Sequence, residues 1–241
     1  FTKMNRNEMN KLFVLANKSI DKAIKILKSN IPKIDKFEKK EIKLNVDKSI
    51  NNEIFRVLKQ SKIKIISEEN PKNQNLKILE KEKNFWIIDP LDGSFNFYRN
   101  IPFSSVCISL ILNGKFELSI IYDVFNKIKY TNLNNKIYVN NVLTSFKRKK
   151  LKKNKSILTS GFPKNYNFKK KNYIFKSFIK TRMIGCASLS LIGCMTGKFD
   201  WYNEKNIMLW DIAAGYHFNV SNGCTVKKFN LKMICQEVSL G

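Results

Sequence analysis

Hydrophobic positions recur at helical spacing over 8–29, where Leu12, Ala16, Ile20, Ala23 and Leu27 fall on one side with Phe13 and Ile24 beside them. Pro32 lies beyond the expected end of that helix. A second amphipathic helix is expected over about 46–60, carrying Ile50, Ile54, Val57 and Leu58 on one side. The period then drops to two. The Ile-rich run 62–67 reads as a strand leading into Glu68-Glu69, the polar stretch 70–84 as a loop, and 85–88 as a further strand. Two β-prone runs, 105–112 and 116–125, flank Asn113-Gly114-Lys115. Asn-Gly accepts the positive φ of a tight turn, so these runs predict a hairpin, and 127–132 adds a third strand. Further on, the pattern predicts a strand at 156–160, helices at about 173–180 and 187–196, and a strand at 199–203. A last helix over 210–223 is expected to be capped by Asp211 and stopped near Gly223. Strands and helices interleave throughout, which predicts a layered α+β or α/β domain over 1–241, with an N-terminal half to about 140 and a C-terminal half from about 141.

Composition narrows the chemistry. With 241 residues, 43% hydrophobic and 12% aromatic, the chain can bury a core. Its 45 Lys and Arg against 19 Asp and Glu give a net charge of +26, a field that attracts phosphate-bearing partners, nucleic acid and anionic membranes included. A bias toward Lys, Asn and Ile accounts for much of that excess. The basic run 147–155 reads first as a solvated loop, with an RNA or polyphosphate contact as the rival. Cys107, Cys186, Cys194, Cys224 and Cys235 form no C-x-x-C pair and read as reduced thiols. No stretch approaches the roughly 18 apolar residues of a membrane span. The start at Phe1 lacks a signal-like segment, so a cytoplasmic protein is expected. Only one histidine, His217, is present, and it reads as structural. A Ser-His-Asp triad or a His-rich metal site is out or badly strained, which leaves acids to carry the chemistry.

The acids gather where strands end. In WIIDPLDGSFNF (86–97), Asp89 and Asp92 converge if Pro90-Leu91 forms a turn, and the same turn swings the Leu91 carbonyl toward a shared ion. Hard cations such as Mg²⁺ are held by oxygen ligands of this kind. Gly93 and Ser94 then open a turn or helix whose free N–H groups can cradle phosphate. Taken singly, each piece has an ordinary reading: a capped strand-to-helix turn, a solvated Glu68-Glu69, a plain helix start at Trp210-Asp211. All three nevertheless sit where a strand gives way to a loop or helix, in a chain short of acids elsewhere.

SEE (67–69), WIIDPLDGS (86–94) with Asn96-Phe97 and Pro102, and WDIAAG (210–215) resemble the signature regions of the inositol monophosphatase family. The segments 45–48 and 159–163, and Gly185-Cys186-Ala187, resemble those of its bacterial members, and Glu204 precedes Asp211 at the family's spacing. The resemblance covers about 11–223 and implies a layered α-β-α-β-α sugar-phosphatase-like fold with Mg²⁺-dependent hydrolysis of a small phosphomonoester. Carried over, Glu69, Asp89, the Leu91 carbonyl, Asp92 and Asp211 would bind Mg²⁺. Glu69 and Ser94 would orient the attacking water, with Asp47 hydrogen-bonding the Ser94 hydroxyl. The Gly93 and Ser94 amides would hold phosphate, and Glu204 with the Gly185, Cys186 and Ala187 backbone would contact the alcohol. The SFNF form of the motif points to inositol monophosphate. A nucleotide 3′-phosphatase, or an RNA- or transcription-associated binding protein on the same fold, are the alternatives, and the family's usual pairing makes a homodimer one expectation. Departures from the family are Ser94 in place of Thr, Ser67 in place of Gly, and a shorter stretch at 130–141, where one hairpin is expected to be pared down. Beyond Asp211 members normally add a strand and a helix, which 225–241 does not obviously replace, so a shortened C-terminal part is expected.

Overall fold

The computed structural model describes residues 5–29, 34–38, 41–70, 82–148, 151–161 and 175–240. The first helical pattern becomes α1 (Arg6–Ser29) and the second α2 (Asn45–Leu58), with the antiparallel strands β1 (Ile34–Glu38) and β2 (Glu41–Leu44) between them. Asn5 and Glu8 each accept the other's backbone N–H, which satisfies two donors at the start of α1. Leu12, Ala16, Ile20 and Ala23 of α1 pack with Val46, Ile50, Ile54 and Leu58 of α2 into one core.

That core lies on a seven-stranded sheet running in chain order: β3 (Lys64–Ser67), β4 (Phe85–Asp92), β5 (Ser105–Leu112), β6 (Lys115–Asp123), β7 (Ile128–Leu133), β8 (Lys136–Val139) and β9 (Val142–Leu143). β3 is parallel to β4, and the rest forms an antiparallel meander. Alternation along β5 decides its two faces. Val106, Ile108, Leu110 and Leu112 enter the α1–α2 core, while Cys107 and Ile111 enter cores on the opposite side. The predicted Asn113-Gly114 turn has positive φ at both residues, 52° and 74°. Asn134-Asn135 and Asn140-Asn141 make two further turns of the same kind, because Asn reaches the left-handed region at small cost.

A five-stranded sheet forms the other half, in the order β11 (Lys180–Arg182), β10 (Ile157–Thr159), β12 (Trp201–Met208), β14 (Cys235–Leu240), β13 (Val226–Lys227). The helices α4 (Ala187–Met195) and α5 (Leu209–Ser221) fill the space between the sheets. The described residues thus stack as α-β-α-β. The helix predicted at about 173–180 begins outside the described residues. Only Phe175 and Lys176 are helical in the rest of it, and a strand has begun by Lys180. A short helix, α3 (Ser94–Tyr98), follows β4. Among the described residues no helix is long and apolar enough to cross a membrane.

Three expectations are corrected here. β4 continues through Pro90-Leu91 instead of turning there. Asp211 is not the cap of α5; Met208 holds that place, and Asp211 reaches back from the first turn to accept its N–H. The C-terminal stretch does supply strands, since β14 inserts between β12 and β13.

His217 is buried between α5 and the first sheet. Its Nδ1 lies 2.9 Å from Ser119 Oγ, itself 2.9 Å from Ser109 Oγ, and its ring stacks on Phe116 with centroids 5.1 Å apart. Burial lowers its pKa from 6.5 to about 3. The unfolded chain therefore takes up this proton more readily than the folded one. The stability gained from a neutral His217 is complete above pH 6.5 and is lost as pH falls toward 3, at about 1.4 kcal/mol per pH unit. Between about pH 7.5 and pH 5, urea unfolding of the wild type should lose about 2 kcal/mol more than that of His217→Gln.

Candidate metal centre

The register of β4 on β5 sets the geometry. Asp89 pairs with Cys107 and Asp92 with Ser105, so three steps along β4 match two along β5. The surplus residue is a β-bulge. In an unbroken strand, residues three apart face opposite sides. The bulge returns Asp92 to the Asp89 side, toward α4 and α5, while Leu91 enters the α1–α2 core. Pro90 fits this position because it has no N–H to give the ladder.

β3 brings the next acid. Its parallel register sets Ser67 beside Ile88, so the following residue, Glu68, comes level with Asp89. Ser67 fixes the bend: its Oγ donates to Asn51 Oδ1 at 2.6 Å and accepts the Glu69 N–H at 3.4 Å, and its carbonyl accepts the Asn70 N–H. α5 contributes Asp211. Carboxylate oxygens of Glu68, Asp89 and Asp211 all lie within 4.8 Å of one another. The member of the pair that meets the aspartates is thus Glu68, where the sequence reading chose Glu69.

The electrostatics of this cluster suits a cation. Asp89 Oδ1 accepts the Leu91 N–H at 3.0 Å, while its buried Oδ2 receives no hydrogen bond from the described residues. Burial, then the charges of Glu68, Asp92 and Asp211, pushes the Asp89 carboxyl well above the usual carboxylate range. Burial, then Asp92 and Glu68, does the same to Asp211. A divalent cation would relieve both causes at once, and an all-oxygen donor set suits a hard ion such as Mg²⁺.

The other expected residues surround this cluster. Asp92 is held at the start of α4, where its Oδ2 accepts the Ser188 N–H at 2.8 Å and the Ser188 hydroxyl at 2.5 Å. The Ser94 hydroxyl donates to the Leu91 carbonyl at 2.8 Å, in place of the expected bond to Asp47, which is buried in the first turn of α2. Gly93 has φ 80°, and a Cβ there would come within 2.6 Å of the Phe103 carbonyl oxygen. Asn96 donates to the carbonyls of both Phe103 and Ile184, at 2.9 and 2.7 Å, which seats Gly185 and Cys186 against Gly93, with Ala187 next in the chain. On β12, the Glu204 carboxylate accepts the Tyr202 hydroxyl at 2.7 Å and the Gly161 N–H, and burial pushes its pKa up to about 7. Three residues that sequence reasoning passed over belong to this region: Ser188, Ser105 and Tyr202. None lies in a motif, and only side-chain geometry reveals them.

Comparison with known proteins gives the family and the fold. The family model described as inositol monophosphatase family matches residues 8–232. A relative named Nus factor SuhB from Pasteurella multocida is 29% identical over 180 residues, 71% of this chain and 66% of its own length. Another of the same name from Haemophilus influenzae is 28% identical over 221 residues, 86% of this chain and 81% of its own. Among solved structures, an IMPase/NADP phosphatase complexed with Mg²⁺ and phosphate superposes with a TM-score of 0.82 at 20% identity, covering 98% of this chain and 90% of its own. That last likeness establishes the fold.

The choice between the two glutamates can be measured. Mn²⁺ should raise the melting temperature of the wild type; Glu68→Gln should lose most of that rise and Glu69→Gln should keep it, as read by thermal melts across a Mn²⁺ titration.

Proposed function

The chain belongs to the inositol monophosphatase family, and on that premise we propose that it hydrolyses small phosphomonoesters, inositol monophosphate first among them, with Mg²⁺ as cofactor. The observation that carries the proposal is the meeting of Glu68, Asp89 and Asp211, with one buried Asp89 oxygen that receives no hydrogen bond from the described residues. The named Mg²⁺ and phosphate complex of the same fold supports the choice of ion. In the proposal Glu68, Asp89, Asp211, Asp92 and the Leu91 carbonyl hold the metal. Bound there, it would neutralise phosphate charge and lower the pKa of a coordinated water.

The chain's own residues then supply position. The Gly93 and Ser94 N–H groups face the phosphate, and the water-orienting role expected of Glu69 passes to Glu68. Glu204 and the Gly185–Ala187 backbone meet the alcohol. With a pKa of about 7, Glu204 can either donate to or accept from a substrate hydroxyl near neutral pH. No protein nucleophile is needed, because phosphoryl transfer to water asks mainly for positioning and charge neutralisation. His217, buried beside Ser119, plays no part in it.

A second reading has its own observation: relatives named Nus factor SuhB, together with a net charge of +26. Under it the chain binds RNA through its basic surface, with an affinity that falls steeply as salt rises.

One panel separates the two. Phosphate release from inositol monophosphate and from nucleotide 3′-phosphates should depend on Mg²⁺, and Asp89→Asn should lower it on the order of 10³-fold. Turnover without metal, or an undiminished Asp89→Asn enzyme, would sink the phosphatase reading. RNA binding that survives Asp89→Asn, with no phosphate released from any substrate, would favour the second.

A further inference from the structure

Asp92 faces the same side as Asp89, its charge acts on both Asp89 and Asp211, and its two oxygens live in different surroundings. Oδ2 takes the Ser188 N–H at 2.8 Å, the Ser188 hydroxyl at 2.5 Å and the Cys186 thiol at 3.1 Å. Among the described residues Oδ1 takes only a long bond from the Ala187 N–H, at 3.4 Å. One oxygen is saturated, and the other keeps most of its acceptor capacity.

The saturated side has a support of its own. Ser188 Oγ lies 2.6 Å from Ser105 Oγ, and Ser105 is the residue opposite Asp92 across the β4–β5 ladder. Both serines are fully buried. A serine hydroxyl carries one proton. Ser188 gives its proton to Asp92, so in the serine pair Ser105 must be the donor. The direction of the chain is fixed: Ser105 to Ser188 to Asp92 Oδ2. The N-terminus of α4 adds its dipole to the same carboxylate.

We propose that Ser188, backed by Ser105, is a positioning residue that pins Asp92 Oδ2 to the start of α4 and so presents Oδ1 to the metal cluster. The proposal rests on the metal-site reading above. It joins two elements from different halves of the chain: the bulged strand that carries Asp89 and Asp92, and the helix that follows Gly185-Cys186. Without the Ser188 hydroxyl, Asp92 loses its shortest bond and the buried Ser105 hydroxyl keeps only the weaker Cys107 and Cys186 sulfurs as partners, which loosens the hold on the carboxylate. Groups that orient metal ligands in this way typically alter metal affinity by ten- to a hundredfold when removed.

The test is Mn²⁺ binding, read by electron paramagnetic resonance of the free ion, on wild type, Ser188→Ala, Ser188→Thr and Asp92→Asn. Ser188→Ala should weaken binding about tenfold or more, and Ser188→Thr, which keeps the hydroxyl, should restore most of it. Should Ser188→Ala fail to fold, as judged by melting in chelator, Ser105→Ala replaces it, with a severalfold weakening expected. Wild-type affinity in the alanine variant, or weakening that threonine does not rescue, overturns the positioning role and leaves the metal site standing. If the wild type itself binds no Mn²⁺, the metal-site reading falls, and this proposal with it.

Discussion

A single surplus residue in β4 governs what this protein can do. Without the bulge at Pro90-Leu91, Asp89 and Asp92 would point to opposite faces of the first sheet, and one of them would enter the apolar core against α1 and α2. With it, both carboxylates open toward the layer formed by α4 and α5. That layer supplies Asp211 from one helix and a set of donors for Asp92 from the other. The parallel pairing of β3 completes the arrangement by carrying Glu68 alongside Asp89. The acids thus come from three parts of the chain, and those borne by β4 or following β3 are placed by backbone register instead of by side-chain reach.

Such a cluster works against folding when it is empty. Burial disfavours the charged form of each carboxylate, and every neighbour adds repulsion, which is why the carboxyls of Asp89 and Asp211 are driven so far upward. Among the described residues the ion pairs engage other acids at the surface, such as Glu53 with Arg56 and Glu237 with Lys205 and Lys228. Asp92 is spared part of the strain by the N-terminus of α4, whose hydrogen bonds lower its pKa against the larger effect of burial. The centre is therefore built from groups that prefer a cation to solitude, in a molecule whose long-range field favours anions.

Much of this was legible in the sequence, and the limits have physical reasons. The helical spacing of Leu12, Ala16, Ile20 and Ala23 found α1, and Asn113-Gly114 found its hairpin because that pair has few other uses between apolar runs. The acidic motif and its partners around Asp211 were recognisable as one site. Which of Glu68 and Glu69 joins that site depends on how β3 slides along β4, and register between strands distant in sequence leaves no local mark. The Pro90-Leu91 bulge hid for a related reason, since a Pro after a strand reads equally well as a turn. Asn134-Asn135 and Asn140-Asn141 carry a weaker turn signal than Asn-Gly. Strand β14 was obscured by Gln236, a polar residue at a buried position, whose amide is satisfied by the carbonyls of Asn230 and Met233. Ser188 and Ser105 match no motif, because their role exists only once two distant segments meet.

The edges of the two sheets have a consequence of their own. The first sheet is bounded by the four residues of β3 and the two of β9, and the second by β11, with Lys180 and Arg182, and the two residues of β13. Exposed strand edges are templates on which other chains can polymerise into aggregates. Here the long strands β4, β5 and β6 lie inside, and the described rims are short, with Lys180 and Arg182 on one of them, so they offer little backbone for another chain to pair with.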